Sequence, residues 1–151
     1  METRFNIAQP ADTETLISLM REYYVYDHIP FDESLARAAL ARLTDDETLG
    51  RIWLIEQGDQ AIGYLAITLG YSLEYGRDAF IDEVYLREPY RGQGLGQRAF
   101  TLAEEACRAL GVQALHLEVE RDNGRAQAFY RKIGYEDHDR YLLTKRLDEG
   151  G

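Results

Sequence analysis

The sequence has little cysteine, little proline and no long apolar run, and these shortages exclude several classes of protein. Among 151 residues there is one cysteine, Cys107, so an internal disulfide and a multi-cysteine metal site are excluded. No apolar stretch approaches the roughly 18 residues of a membrane span. The N-terminal segment METRFNIAQP has no basic region followed by an apolar one. We therefore expect a soluble, cytoplasmic protein without a signal peptide.

Positive charge is also scarce. Lys and Arg number 17 against 27 Asp and Glu, which gives a net charge of −10. Residues 1–86 hold 6 basic and 16 acidic residues, whereas residues 87–151 hold 11 of each. All the net negative charge thus lies in the first half of the chain. Such a protein repels nucleic acid and anionic membranes, so we expect neither as a partner. The first half could attract a cation, and the second could tolerate an anion.

The apolar pattern predicts one α/β domain over residues 1–151, a length typical of a single domain. The predicted order is β-α-α-β-β-β-α-β-α-β-β, with a mixed sheet of six to seven strands flanked by about four helices. Strands are predicted at residues 5–8, 51–56, 61–69, 79–86 and 114–120, with final strands from Tyr135 and residues 141–147.

A glycine-rich turn, Arg91-Gly92-Gln93-Gly94-Leu95-Gly96, follows a predicted strand and begins a helix. Helix N-termini present unpaired N–H groups to anions, glycines allow close backbone approach, and an arginine adds a fork for phosphate oxygens. The turn therefore indicates phosphate binding. The alternative is that Gly94 and Gly96 only allow tight packing of strand on helix.

The same glycines fit a dinucleotide-binding fingerprint, with Glu118 about 20 residues later as a ribose ligand. However, residues 87–91 separate the strand from the glycines, which is too loose for that fingerprint. The chain also has one βαβ unit and no second half for a second nucleotide. We therefore reject the Rossmann interpretation.

A second motif makes a family resemblance specific. The glycine-rich turn matches R/Q-x-x-G-x-G/A, and about 27 residues later the chain matches N-x-x-A-x-x-F-Y-x-x-x-G-F/Y. The matching residues of the second motif are Asn123, Ala126, Phe129, Tyr130, Gly134 and Tyr135. Together, in this order and at this spacing, the two motifs resemble the GNAT superfamily of N-acetyltransferases. The order of elements over the whole chain agrees with that resemblance.

The resemblance implies acetyl-CoA as the acetyl donor, with direct transfer to an amine. No spacing of potential ligands in the sequence supports a metal site, so we expect none. The pantetheine arm would lie between the strand ending at Leu86 and the strand ending at Glu120. The resemblance places backbone pairing at Val84, Tyr85 and Leu86, and pyrophosphate binding at Arg91, Gly92, Gln93, Gly94, Leu95, Gly96 and Gln97. Asn123, with Ala126 in the same motif, would contact the arm from the other side. Tyr130 would direct its hydroxyl at the sulfur as a general acid.

The general base is left open among three carboxylates, or a water chain without a dedicated base. We favour Glu83, then Glu118, then Asp82. Glu83 and Asp82 are consecutive on a strand, so they are predicted to point to opposite faces. Glu118 is similar in position to a base glutamate in the branch that acetylates protein N-termini. Direct transfer leaves Cys107 without a nucleophilic role, and we interpret it as a packing residue.

The acceptor is predicted to be a small cationic amine bound by Tyr26, Asp82 and Glu83. Carboxylates and tyrosine faces suit an ammonium group. The segment Phe80-Ile81-Asp82-Glu83-Val84-Tyr85-Leu86, followed by Arg91, is similar to the polyamine and small-amine branch. Alternatives are a protein or peptide amine, a non-catalytic acetyl-CoA-binding module, and a pure interaction domain. The sequence does not fix the oligomeric state, but a homodimer through the C-terminal strands is common among proteins of this pattern.

Overall fold

A five-stranded mixed sheet carries the candidate site. The computed structural model describes residues 2–148. The strands are β1 (Thr3–Ile7), β2 (Gly50–Gln57), β3 (Gln60–Ser72), β4 (Gly76–Leu86) and β5 (Ala114–His116), in that order across the sheet. Neighbours from β1 to β4 are antiparallel, and β5 runs parallel to β4.

Four α-helices accompany the sheet, as predicted. They are α1 (Thr13–Tyr26), α2 (Glu33–Asp45), α3 (Leu95–Ala109) and α4 (Gly124–Lys132). Short 3₁₀ turns at Pro10–Asp12 and Glu88–Tyr90 precede α1 and α3. The chain divides into two compact units between Leu117 and Glu118, so the first unit holds the sheet and α1 to α3, and the second holds α4. Among the described residues, no helix has the length and apolar character needed to cross a membrane.

The strand alternation builds the core of the first unit. In β2, Leu54 belongs to a cluster with Leu16 and Leu19 of α1, whereas the next residue, Ile55, packs with Leu95 of α3. Successive side chains of a strand point to opposite faces, so α1 and α3 cover opposite sides of the sheet. Each helix contributes a buried stripe, which is what the helical spacing of its apolar residues predicts.

Strand β4 contains a β-bulge at Asp82. Ala66 of β3 pairs with Glu83, and the next residue of β3 pairs with Ile81, so Asp82 has no partner in the ladder. A bulge inserts one residue and reverses the alternation beyond it. Glu83 and Tyr85 therefore lie on the face covered by α1, opposite Ala66 and Tyr64. The predicted regular alternation is therefore interrupted at Asp82, which is unpaired in the ladder and exposed.

Strand β5 is shorter than predicted. It pairs with β4 at three positions, the last being Phe80 with His116, and it ends there rather than at Glu120. From Ile81 to Leu86, β3 is the one strand paired with β4 within the described residues. This stretch of β4 consequently presents an open strand edge.

The prediction of six to seven strands was wrong, because residues 2–148 form five. Tyr135 and residues 141–147 are not in strands. The large apolar side chains of the last segment stay mostly exposed: Tyr141 is 78% exposed, Leu142 74%, Leu143 88% and Leu147 84%. Apolar composition favours a strand, but a strand also needs an edge to pair with and a surface to cover.

The backbone of β4 lies close to Gly63 of β3, and this proximity predicts a large effect of a small substitution. A Cβ at Gly63 would lie 2.1 Å from the carbonyl oxygen of Tyr85 and 3.1 Å from Cα of Leu86. Since both neighbours are backbone atoms, they cannot rotate away. We expect Gly63→Ala to lower the free energy of unfolding by about 1–3 kcal/mol in urea titrations.

Gly96→Ala is the matched control for that prediction. Gly96 lies in α3 without a left-handed φ, and an added Cβ would meet nothing within 4 Å. This substitution should stabilise the chain by about 0.4–1 kcal/mol. An unchanged urea midpoint for Gly63→Ala would contradict the steric argument.

Candidate active site

The glycine-rich turn forms an open anion-binding end on α3. Gly92 and Gly94 have φ values of 75° and 80°, in the left-handed region that favours glycine. The first backbone bond of α3 runs from the N–H of Arg98 to the carbonyl of Gly94, at 3.1 Å. The N–H groups of residues 95–97 precede this bond and point outward from the helix end. A Cβ placed at Gly92, Gly94 or Gly96 would meet nothing within 4 Å, so the turn leaves these N–H groups accessible, as helix ends that bind anions do.

The open edge of β4 suits an extended amide-containing ligand. Unpaired N–H and C=O groups on a strand edge can pair with a ligand as an added strand would. Of the three residues predicted to pair with the pantetheine arm, Leu86 has its carbonyl engaged by Nε of Arg91 at 2.7 Å. The turn and this edge are continuous along the chain, so a ligand holding both a pyrophosphate and an amide arm can contact both.

Arg91 contacts a residue that was predicted for the other substrate. Its guanidinium lies 4.5 Å from the ring centroid of Tyr26 and 5.7 Å from that of Tyr85. Tyr26 is the last residue of α1 and is 61% exposed. The structure thus brings together a predicted donor-binding side chain and a predicted acceptor-binding side chain.

Glu83 is held by two tyrosine hydroxyls. Tyr64 of β3 donates to Oε1 of Glu83 at 2.7 Å, and Tyr24 of α1 donates to Oε2. Tyr64 is 2% exposed, whereas Tyr24 and Glu83 are partly exposed. We call these three residues the tyrosine–glutamate cluster.

Burial dominates the ionisation of this cluster. It raises the pKa of the Glu83 carboxyl, although the two tyrosine hydrogen bonds act in the opposite direction and the charge of Asp82 adds to the rise. Burial, together with the Glu83 charge, also raises the pKa values of Tyr24 and Tyr64. Partial desolvation raises the pKa of Asp82. Glu83 is therefore a stronger base than an exposed carboxylate, and both tyrosines stay protonated at neutral pH.

Aromatic rings surround the cluster. Tyr23 lies 5.6 Å from Tyr24 and from Tyr85, and Phe31 lies 5.2 Å from Tyr24, as measured between ring centroids. Aromatic faces attract cations, so rings around a carboxylate suit an ammonium group.

Neither Tyr24 nor Tyr64 was predicted from the sequence as a hydrogen-bond partner of Glu83. Tyr64 is a tyrosine within the buried apolar run of β3, from Ile62 to Ile67. That position was the available signal, because a buried tyrosine hydroxyl needs a polar partner. Glu22 was also missed: it accepts bonds from the hydroxyl of Tyr85 at 3.2 Å and from Arg87 at 2.7 and 3.0 Å.

The second unit holds the other predicted residues. Oδ1 of Asn123 accepts the N–H of Ala126 at 3.2 Å, so Asn123 caps α4. Tyr130 is half-buried on α4, and burial raises the pKa of its hydroxyl. Glu118 is exposed and follows the end of β5.

Cys107 and His116 have packing roles. Cys107 is buried in α3, and burial raises the pKa of its thiol, which suits packing better than nucleophilic chemistry. His116 contacts Asp78 at 3.1 Å, joining β5 to β4. Within residues 2–148, no group of three or more His, Cys, Asp or Glu side chains is placed to hold a metal ion.

Comparison with known proteins identifies relatives over nearly the whole chain. The model of the acetyltransferase (GNAT) family matches residues 13–135. Thialysine N-epsilon-acetyltransferase of Bos taurus is 27% identical over 139 residues, which cover 86% of this chain and 82% of that protein.

Solved structures share the fold. An integron cassette protein from the mobile metagenome of Cole Harbour Salt Marsh has a TM-score of 0.83 and 35% identity, over 95% of this chain and 90% of its own. A predicted acetyltransferase from Clostridium acetobutylicum, solved with acetyl-CoA, has a TM-score of 0.82 and 17% identity, over 97% and 98% of the two chains.

The open turn predicts that a branched side chain at Gly96 separates binding from stability. A Cβ at Gly96 meets nothing within 4 Å, so Gly96→Val should change folding stability little. A bound pyrophosphate would oppose the branched side chain, so acetyl-CoA affinity should fall roughly tenfold or more, at about 1.4 kcal/mol per tenfold. Gly96→Ala is the control and should keep parental affinity, because the motif admits alanine at this position. Calorimetric titration measures the affinity, and thermal unfolding measures the stability. Gly94 is less suitable, since its left-handed φ strains any substitution. Parental affinity in Gly96→Val would contradict pyrophosphate binding at this turn.

Proposed function

The chain belongs to the acetyltransferase (GNAT) family and takes acetyl-CoA as its acetyl donor, and we propose that its acceptor is a small cationic primary amine. The observation that carries the proposal is the half-buried Glu83 carboxyl, held by two tyrosine hydroxyls and surrounded by aromatic rings. An ammonium group would find there a negative charge, aromatic faces and a base. The net charge of −10, all carried by residues 1–86, supports the same acceptor. The relative from Bos taurus is named for thialysine, a small amine, and this name also supports the proposal.

On the donor side, we propose the roles implied by the two motifs. The turn from Arg91 to Gln97 would hold the pyrophosphate, and the β4 edge at residues 84–86 would pair with the arm. Asn123 and Ala126 would contribute to the same ligand. Bound acetyl-CoA supplies an acetyl group activated as a thioester.

Two side chains would move protons. Glu83 takes a proton from the ammonium group and leaves a nitrogen lone pair as the nucleophile. Tyr130 gives its proton to the departing thiolate, and its raised pKa keeps that proton in place at neutral pH. Glu118 and Asp82 are the alternative bases. Asp82 and Tyr26 would bind the acceptor together with Glu83.

A protein or peptide amine is the alternative acceptor, with Glu118 as its base. We also propose that residues 1–151 act as one domain, in the cytoplasm and as a homodimer. Light scattering on the purified chain tests the dimer, since the two assemblies differ twofold in mass. A chain that binds acetyl-CoA without turning over any amine would be a binding module instead.

The acceptor proposal predicts a ranking of amines and a salt effect. In a thiol-release assay with acetyl-CoA, diamines and polyamines should give higher kcat/KM than neutral or anionic amines and than peptide N-termini. Their kcat/KM should fall as salt rises, because attraction to the acidic half is screened over about 10 Å at 0.1 M. A neutral amine serves as the control, with little salt dependence. Better turnover of neutral or peptide acceptors would refute the cationic acceptor while leaving acetyl transfer intact.

The raised pKa of Glu83 predicts the acid side of the pH profile. A base must be ionised, so kcat/KM should be present above the pKa of Glu83 and lost below it. Because burial raises that pKa, the loss should begin above the ordinary glutamate value of about 4.3. Glu83→Gln should remove this ionisation and lower kcat by roughly 100-fold or more, with acetyl-CoA affinity retained.

Glu118→Gln and Asp82→Asn are the matched comparisons. Both should keep the acidic limb of the profile if Glu83 is the base. Loss of the limb in the Glu118 variant, with Glu83→Gln unchanged, would reassign the base to Glu118.

A further inference from the structure

Both carboxylate oxygens of Glu83 already have a hydrogen-bond donor within the protein. Oε1 accepts from Tyr64 and Oε2 accepts from Tyr24. Each tyrosine gives its single hydroxyl proton to Glu83 and keeps lone pairs that can accept another hydrogen. A proton can therefore reach Glu83 through a tyrosine oxygen.

The two tyrosines differ in their access to a ligand. Tyr64 is buried within the core formed by α1, α2 and the sheet. Tyr24 lies in the last turn of α1 and is partly exposed, with its ring edge-on to Tyr23 and Phe31. Tyr64 thus holds the carboxylate from the core side, and Tyr24 binds it from the more exposed side of the cluster.

We propose that Tyr24 is a catalytic residue that relays the acceptor's proton to Glu83, an inference that rests on the proposed function. The ammonium N–H bond breaks, its proton moves to the oxygen of Tyr24, and its electron pair stays on nitrogen as the attacking lone pair. At the same time the original hydroxyl proton of Tyr24 moves to Oε2 of Glu83. Tyr24 ends neutral and Glu83 ends as the neutral acid, so charge and atoms balance.

The electrostatics of the cluster favour transfer of both protons together. A phenolate at Tyr24 would lie beside the Glu83 carboxylate in a partly buried position, and burial and that charge raise the pKa of Tyr24 strongly. Stepwise ionisation of Tyr24 is therefore unfavourable. The same burial makes Glu83 a better proton acceptor than an exposed carboxylate.

Tyr24→Phe tests the relay, with Tyr64→Phe and Tyr71→Phe as matched variants. Each removes one hydroxyl and keeps the ring. Tyr71 is 80% exposed, so its variant should retain parental kinetics. Tyr24→Phe should lower kcat by roughly 100-fold at saturating amine, with acetyl-CoA affinity unchanged. Tyr64→Phe should lose stability while keeping the relay, with a drop in kcat below about tenfold.

A proton inventory in mixtures of H2O and D2O separates a relay from a structural role. The parent and Tyr64→Phe should show a curved dependence of kcat on deuterium content, as two protons move together, and Tyr24→Phe should lose the curvature. In the Glu83→Gln background, Tyr24→Phe should lower kcat little further, because the effects of residues that act as one unit are not additive. A Tyr24→Phe variant with kcat within threefold of an active parent, or with the parental curvature, would overturn the relay alone. A parent that turns over no amine would overturn the proposed function first.

Discussion

The extra residue at Asp82 in strand β4 is the constraint on which the first unit depends. Before the bulge, Ala79 and Ile81 belong to the α3 side of the sheet, opposite Leu69 and Ile67 of β3. Beyond it, Glu83 is turned toward α1, where two tyrosine hydroxyls reach its carboxylate. If Asp82 instead occupied an ordinary place in the ladder, the alternation would place Glu83 among the apolar side chains next to α3. One strand therefore serves an apolar core along one part of its length and a polar site along the next.

A carboxylate in that position needs partners, because desolvating a charge without compensation is costly. The chain supplies neutral donors rather than a cation. A cationic partner would lower the pKa of Glu83 and weaken it as a base, and it would also repel an ammonium acceptor. Tyrosine hydroxyls satisfy the oxygens while leaving the charge available. The nearby arginine, Arg87, is engaged instead by Glu22, at 2.7 and 3.0 Å.

Much of this arrangement could be predicted from the sequence, where local patterns carried the information. The helix that begins at the glycine-rich turn is confirmed, because its start depends on neighbours a few residues apart, as do the caps that Asp32 and Asn123 form. Strand number was overestimated, since pairing of residues 141–147 depends on a distant edge and not on composition. Tyr24 and Tyr64 lie 59 and 19 residues from Glu83 in sequence. Their convergence depends on the β3–β4 register and on one bulge, which no local pattern encodes.

The stack of Arg91 on Tyr26 connects a residue predicted to bind the donor with a residue predicted to bind the acceptor. Under the proposed assignments, an acceptor that displaces the Tyr26 ring also removes a surface on which the Arg91 guanidinium lies. Such a contact is worth about 0.5–1 kcal/mol where exposed, or roughly a two- to fivefold change in an equilibrium constant. Linkage is reciprocal, so a bound donor would alter acceptor affinity by the same factor as a bound acceptor alters donor affinity. One arginine and one tyrosine would thereby couple the two substrates, and the coupling has the same size whichever substrate binds first.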